Sequence, residues 1–523
     1  MSTNIYNEDN KKKNFLSVLL GVYVISIGVG LPLVIRDRYF DILRFKYYYY
    51  CFCTIGMIAL LAGYFFTAQI KDTVYWIKNF TFRSFIRKCT LLDLFVFLYW
   101  LIAIISTFTS DYLYEAFWGN EGRYTGLFLI TWYVLSYYCI SRFWRYKDWY
   151  IDVILIVGAM VCLFGITDYF KMDIFVFKAP MLPEQRDIFT STLGNINTYT
   201  AYVGIITAIS TVLFTTVKNS IKMIWYFICM VISFFAIIMG VSDNAYLSLI
   251  ALFGLLPLYL FKNKIGVQRY LVTIAAFFTV TQCIDWINTF MKDKVLGIDS
   301  AFNIVIRFAW LHYLVFTLWM IILIWYLYDW KTKTKVKDYG NKYVYTWLMI
   351  IIVLLLSVVY VFYDCNIAGN ADKYSSLSNY ILFNDDWGTH RGYIWRKAME
   401  CFLNLPFWKK IIGYGPETFG ILLLSKTMNN PYNEIFDNAH NEYLHTLITV
   451  GISGLTFYIS FILVFIRNCF KEKSKNIYIV AVAFGVICYS TQAFVNLNLP
   501  IVTPMLWLLM GIGSAKYNNE ILQ

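Results

Sequence analysis

Uncharged apolar runs of about twenty residues recur along this chain, divided by short clusters of charge. Phe15 to Ile35, Met223 to Val241, Tyr343 to Tyr363 and Tyr443 to Ile466 are four of them. A run of about 18 residues or more crosses the hydrocarbon core of a bilayer as a helix, whereas barrel strands are shorter and alternate in polarity. Lipid offers the backbone no hydrogen-bond partner, so spans of this kind close their hydrogen bonds internally and pack as a bundle. The pattern predicts about fourteen spans: 14–35, 47–69, 91–109, 124–140, 149–167, 195–216, 223–241, 244–260, 270–288, 308–328, 343–363, 441–466, 477–493 and 500–515. The expected fold is all-α, a polytopic transmembrane helical bundle of about 12–14 spans with one large, partly helical extracytoplasmic loop. Three parts follow: 1–363, a bundle of about eleven spans; 364–440, the loop; and 441–523, the last helices. The first run lacks a small-residue cleavage site after it and is read as a retained helix rather than a signal peptide.

Two connections are long, Asp168 to Gly194 and Asp364 to about Ala439. The second is too long to be structureless in a compact protein and is expected to be folded and functional. Within it, His390 to Phe402 has helical periodicity. Arg391, Ile394, Trp395, Ala398 and Phe402 share one face, with Arg396, Lys397 and Glu400 on the other. Arg391 therefore lies on an apolar stripe. Two readings fit: an arginine that snorkels from the first turn, or a cation turned inward toward an anionic ligand. Pro406 stops this helix, Gly413-Tyr414-Gly415-Pro416 makes a turn, and Glu417 to Met428 reads as a second short amphipathic helix.

Composition agrees with the pattern: 59% of the 523 residues are hydrophobic and only 15% are charged. A net charge of +12 taken alone suggests nucleic acid, but its placement points to topology. Cytoplasmic loops carry an excess of Lys and Arg. With the N-terminus inside after Lys11, Lys12 and Lys13, every second connection is basic. These hold Lys71, Lys78, Arg83, Arg87 and Lys88; Arg142, Arg145 and Lys147; Lys218 and Lys222; and Lys262, Lys264 and Arg269. Later ones hold Lys331, Lys333, Lys335, Lys337 and Lys342, then Arg467, Lys471, Lys473 and Lys475, and Lys516 closes the series. The first outside turn, with Arg36, Arg38, Arg44 and Lys46, is an exception. The charge thus reports both termini inside and the large loop outside, with a lipid bilayer and no nucleic acid as partner. Eleven cysteines show no metal or disulfide spacing and read as small core hydrophobes.

The candidate chemistry gathers at the outer side. Of four histidines, His440 stands in Asp437-Asn438-Ala439-His440-Asn441-Glu442, where the loop meets an apolar helix. A helix N-terminus there favours a neutral imidazole, suited to a general base; capping or simple hydrogen bonding fits the position equally well. His445 falls on another face and reads as structural. Glu121-Gly122-Arg123, Ser191 to Tyr199 and Val241-Ser242-Asp243-Asn244 open helices on the same side. Each alone is ordinary capping chemistry; their convergence on one membrane face is the stronger signal. There is no Walker loop, metal-ligand spacing, serine-nucleophile elbow or dinucleotide fingerprint.

These motifs, in this order, resemble the O-antigen ligase and polymerase superfamily of bacterial membrane glycosyltransferases. Gly122-Arg123-Tyr124-Thr125-Gly126-Leu127 resembles its early glycine-arginine element, and Gly194-Asn195-Ile196-Asn197 its Gly-Asn-x-Asn helix start. Arg391-Gly392-Tyr393-Ile394-Trp395 with Gly413-Tyr414-Gly415-Pro416-Glu417 resembles the beginning of its outer loop. Ala439-His440-Asn441-Glu442-Tyr443-Leu444, followed by Gly451-Ile452-Ser453-Gly454-Leu455, resembles the end of that loop. The likeness covers about 123 to 455.

The resemblance implies transfer of a glycan from an undecaprenyl-diphosphate-linked oligosaccharide donor to a hydroxyl of a glycan, lipid or protein acceptor. It implies the outer face of the bacterial cytoplasmic membrane, with no metal, nucleotide or other cofactor. By position, His440 would be the base and Arg391 would bind the diphosphate, both catalytic; Arg123, Arg186, Asp243, Asn195, Asn441, Glu442 and Trp395 are the expected substrate-binding residues. The chain departs from the family at Ser242-Asp243, where relatives carry serine-arginine. Asp243 reverses that charge, so either Arg123 or Arg186 supplies the missing cation or the donor site differs. Ligase and polymerase are not separated. The alternatives are a polytopic transporter, against which stands the lack of ionisable residues near span midpoints, and a non-catalytic scaffold in envelope polysaccharide export.

Overall fold

The computed structural model describes residues 2–79, 81, 89–120, 122–332, 338–471 and 476–521. Among the residues read above from the sequence, Arg83, Arg87, Lys88, Glu121, Lys333, Lys335, Lys337, Lys473 and Lys475 lie outside the described ones. Eleven described helices are long and apolar enough to cross a membrane, and three shorter apolar ones complete the bundle: Leu127–Phe143, Ala245–Leu260 and Thr503–Ala515. Together they match the fourteen expected spans. The only paired strands among the described residues are the two-residue pair Phe189–Thr190 and Gly194–Asn195, antiparallel.

Ile196–Thr216 is the axis of the bundle, with its apolar stretch wholly enclosed by protein. Its sequence explains this position. Thr200, Ala201, Gly204, Thr207, Ala208, Ser210 and Thr211 are small, and small residues let helices approach closely where lipid is as apolar as the helices themselves. A Cβ at Gly204 would meet Ser248 of the neighbouring Ala245–Leu260. The hydroxyls of Thr207, Ser210 and Thr215 return to carbonyls of their own helix, which keeps them satisfied without water. Ile477–Val495 packs along this axis and is itself mostly enclosed. At the other extreme, none of the apolar stretch of Lys342–Asn366 is buried in protein, as befits a lipid-facing span. The exception to the charge pattern is partly explained: Lys46 is fully buried, and its ammonium donates to the carbonyls of Leu31 (2.5 Å) and Pro32 (3.2 Å).

The loop is folded, as its length required. Trp387–Asn404, Phe407–Ile412 and Phe419–Thr427 enclose a second small core of Ile394, Ala398, Phe402, Phe419, Leu423 and Phe436. One expected span needs correction. The run 441–466 is two helices, Glu442–Thr449 and Gly451–Lys471. Gly451 turns the chain with φ +78°, while the turn at 413–415 docks against the end of the first helix. Tyr414 N–H donates to the Ile448 carbonyl (3.0 Å), and both Gly415 N–H (3.0 Å) and Ser106 Oγ (2.8 Å) donate to that of Thr449. A Cβ at Gly451 would run into the Ile411 carbonyl oxygen and the Gly413 nitrogen. Continuous apolarity hid this break.

This junction predicts that Gly451→Ala lowers stability by at least about 2 kcal/mol, since left-handed backbone alone costs an alanine roughly 1–2 kcal/mol. Thermal unfolding of the purified protein in detergent measures it. Gly56→Ala, with open space around its Cβ, serves as the control and should leave the midpoint unchanged; equal midpoints for both variants would remove the argument.

Candidate functional site

The site lies where the ends of the loop meet. Gly388, Thr389 and His390 all adopt left-handed φ, of 61°, 56° and 67°, so the regular helix begins at Arg391. Thr389 and His390 are strained in that region, and such strain gathers at functional sites. His390 is held there by stacking on Tyr432 (3.7 Å between ring centroids) and by Glu434, 3.3 Å from its Nδ1. Ile394, Ala398 and Phe402 then face the loop core, as the periodicity predicts. Arg396, on the wet face, pairs with Asp385 through both nitrogens, Nε at 3.0 Å and Nη2 at 2.6 Å.

Arg391 is different. Its Nη1 donates to the Gly388 carbonyl (2.9 Å), its Nε–H is buried without a partner, and no described carboxylate forms an ion pair with it. Burial presses its pKa downward, and the charge of Asp243 opposes this. A half-buried guanidinium with an unmet donor can accept an anion, because leaving a charged donor unpaired costs more than an ordinary hydrogen bond returns.

His440 lies within the field of the same arginine. It is left-handed (φ +47°), its N–H donates to Asn438 Oδ1 (2.9 Å), and its imidazole makes no hydrogen bond among the described residues. Burial pushes its pKa down to about 4, with the positive charges of Arg391 and Arg123 adding to this and Asp437 opposing it. The imidazole is therefore neutral at pH 7, as expected, but burial and two cations are the cause. The helix that follows is capped by Asn441, whose Oδ1 accepts the Leu444 N–H (2.9 Å).

The other expected residues divide. Arg123 is at the site, fastened to Asp437 by Nε at 3.1 Å and Nη2 at 3.0 Å. Trp395 closes the loop by donating from Nε1 to the Ala439 carbonyl (2.8 Å). With Trp387, Tyr380, Phe383, Phe494 and the C-terminal end of Lys342–Asn366, it lines an apolar groove of about 640 Å³. Asp243 also accepts the Ala301 N–H (3.1 Å). Three expected ligands have structural partners. Asn441 is the cap just described. Asn195 caps Ile196–Thr216 by accepting the Asn197 N–H (2.8 Å). Glu442 is buried, and its oxygens accept from Tyr458, Asn498 (3.1 Å) and Tyr489 (3.2 Å). Arg186 is not brought to the site. Its guanidinium is drawn to the carbonyls of Met181 and Ala179 in a separate cleft with Asp168, Lys171 and Lys178.

Two features escaped sequence reasoning. Glu417 is fully enclosed with its pKa raised by burial to about 7, and it accepts from Asn120 (3.2 Å) and Thr125, tying the loop to the Gly-Arg element. The signal was a lone acid directly after the Gly-Tyr-Gly-Pro turn. Asn197, rather than Asn195, anchors a buried polar net: Ser242 donates to its side chain (2.6 Å), and Asn244 (2.9 Å) and Asn496 (3.1 Å) donate to its carbonyl. His445, read as structural, is half-buried and stacks on Phe419, with ring centroids 5.3 Å apart.

The depressed pKa of His440 has a direct test. Acylation by diethyl pyrocarbonate needs neutral imidazole, so its pH dependence, read by mass spectrometry, should give a midpoint for His440 well below 6.5. Removing a neighbouring positive charge raises an imidazole pKa, so Arg391→Ala should move that midpoint upward. An unmoved midpoint would separate the two residues.

Residues 294–459, which include the loop, Arg391 and His440, match the family model described as O-antigen ligase. No curated protein matches the chain. The match stops short of the Gly-Arg and Gly-Asn-x-Asn elements; the fold brings the first to the loop through Arg123 and Asp437, and ties the second to Ser242, Asn244 and Asn496 through Asn197. The segment that holds Arg391 and His440 is thus similar to the O-antigen ligase family, and it is carried by a polytopic helical membrane bundle.

Proposed function

We propose that this chain transfers a glycan from an undecaprenyl-diphosphate carrier to an acceptor hydroxyl at the outer face of the bacterial cytoplasmic membrane, as a ligase or a polymerase. The observation that supports this best is the pairing of a buried arginine lacking a carboxylate partner with a neutral, unbonded imidazole, beside an apolar groove. The groove suits a polyprenyl tail, Arg391 suits the diphosphate, and His440 suits the acceptor. His440 takes the hydroxyl proton as the acceptor oxygen attacks the anomeric carbon. The bond from that carbon to the diphosphate oxygen breaks, and its electron pair leaves on the diphosphate, whose negative charge Arg391 holds. Arg123, neutralised by Asp437, positions the loop more than it binds charge. Of the two cations considered as substitutes for the family arginine, it is the one at the site.

A general base contributes about 10² to 10⁴ in rate. His440→Ala and His440→Gln should both fall by that much in surface-glycan output at normal protein level, since glutamine keeps a hydrogen bond but takes no proton. Arg391→Ala should abolish transfer and Arg391→Lys restore little, because an ammonium cannot present two parallel donors. Arg396→Ala should be mild. Near-normal output from His440→Gln would reassign the base, and equal losses at Arg391 and Arg396 would dismiss the phosphate role.

The proposed orientation rests on the basic ends of the helices. Single cysteines replacing Lys218 or Lys262 should react with membrane-impermeant maleimide only after cells are opened, and those replacing Asn404 or Asn429 in intact cells. The reverse pattern would turn the protein over and remove the reaction from the outer face.

A further inference from the structure

Ile196–Thr216 and Ala245–Leu260 carry the Asn197–Asn244 net at one end. At their opposite end, away from His440, a cavity of about 900 Å³ opens between them, Lys264–Phe290, Gly451–Lys471 and Ile477–Gln492. Its depth is apolar, walled by Leu255, Leu258, Ile466, Phe470, Phe484 and Ile487. Its charged lining is mainly cationic. Lys218, Lys262 and Arg269 line it, with Asp338 the one carboxylate among the lining residues. Arg269 is fixed there, because its Nη1 donates to the carbonyls of Val217 (2.5 Å), Thr215 (3.3 Å) and Phe214 (3.4 Å), the open end of the axial helix. Lys218 and Lys262 are exposed and form no ion pair among the described residues.

We propose that this cavity binds one anionic phospholipid, its phosphate among Lys218, Lys262 and Arg269 and its acyl chains in the apolar depth. Charge complementarity argues for the anion, and basic pockets between spans hold acidic head groups in this way. The apolar depth argues for a lipid over a soluble phosphate. A free ion would leave the walls of Leu258, Phe470 and Phe484 uncovered, whereas acyl chains fill them at no polar cost. The site is independent of the transfer chemistry at the far end of the same helices.

The test uses the full-length protein, purified and delipidated in detergent, then titrated with phosphatidylglycerol or phosphatidylcholine and read by native mass spectrometry. One tightly held phosphatidylglycerol per chain is expected, with phosphatidylcholine much weaker. Each lysine near an acidic head group contributes roughly fivefold in affinity, so Lys218→Gln with Lys262→Gln should weaken phosphatidylglycerol by more than about tenfold. Lys71→Gln with Lys78→Gln, two exposed lysines on Ile70–Lys78, should leave it unchanged. Leu258→Trp, which fills the depth and keeps the charge, should also weaken it. Inorganic phosphate at millimolar concentration should not displace the lipid. Equal retention of both lipids, equal losses in the two double variants, or displacement by phosphate would each overturn the proposal. Thermal midpoints of the variants within a few degrees of wild type show that folding is not the cause.

Discussion

The half of this protein that holds the loop depends on one backbone junction. The end of Glu442–Thr449 leaves carbonyls that a helix terminus cannot satisfy itself. The turn at Tyr414 and Gly415 and the hydroxyl of Ser106 satisfy them, at 2.8 to 3.0 Å. The contact is backbone against backbone, so it exists only because Gly413 and Gly451 carry no side chain. Through it the loop is pinned to the span Leu91–Phe108 and to the start of Gly451–Lys471. The Trp395–Ala439 hydrogen bond then draws the two ends of the loop together. Arg391 and His440, far apart in sequence, share one electric field as a result.

That field acts where water is scarce, and the treatment of each charged group shows what it is for. Glu417 and Glu442 are enclosed, and both have pKa values raised to about 7 by burial; neutral donors occupy their oxygens. They tie elements together and present little charge. Arg123 and Asp437 cancel each other. Arg391 alone is left half-buried with an unmet donor and a carboxylate, Asp243, that acts on it without forming an ion pair. Retaining such a group without a partner is costly in a low-dielectric setting, and an incoming anion removes that cost. The same cation adds to the burial that holds His440 neutral.

The bundle was legible because lipid enforces length. A helix must present about twenty apolar residues to cross, and no soluble core imposes so uniform a rule. The face of Arg391 was legible for a similar reason, since a periodicity of 3.6 puts it with Ile394 and Ala398. The structural partners of Asn195, Asn441 and Glu442 were not legible, because a cap, a buried acid and a substrate contact use the same residue types. Only the partners tell them apart: an N–H in the next turn, three neutral donors, or nothing. The separate cleft of Arg186 was not legible either, because proximity to the membrane face says nothing of proximity to Arg391.

By itself, then, the sequence determined the all-helical membrane bundle, the large folded loop and the pair His440 and Arg391 as the residues to watch. Hydrophobic run length, helical period and motif order are properties of the linear chain. Tertiary structure alone decided that the last loop-to-span run breaks at Gly451, that Asn197 and not Asn195 anchors the polar net, and that Arg123 is neutralised while Arg391 is not. Each of these turns on which distant backbone or side-chain group arrives within about 3 Å, and hydrogen bonds and ion pairs weaken steeply beyond that reach.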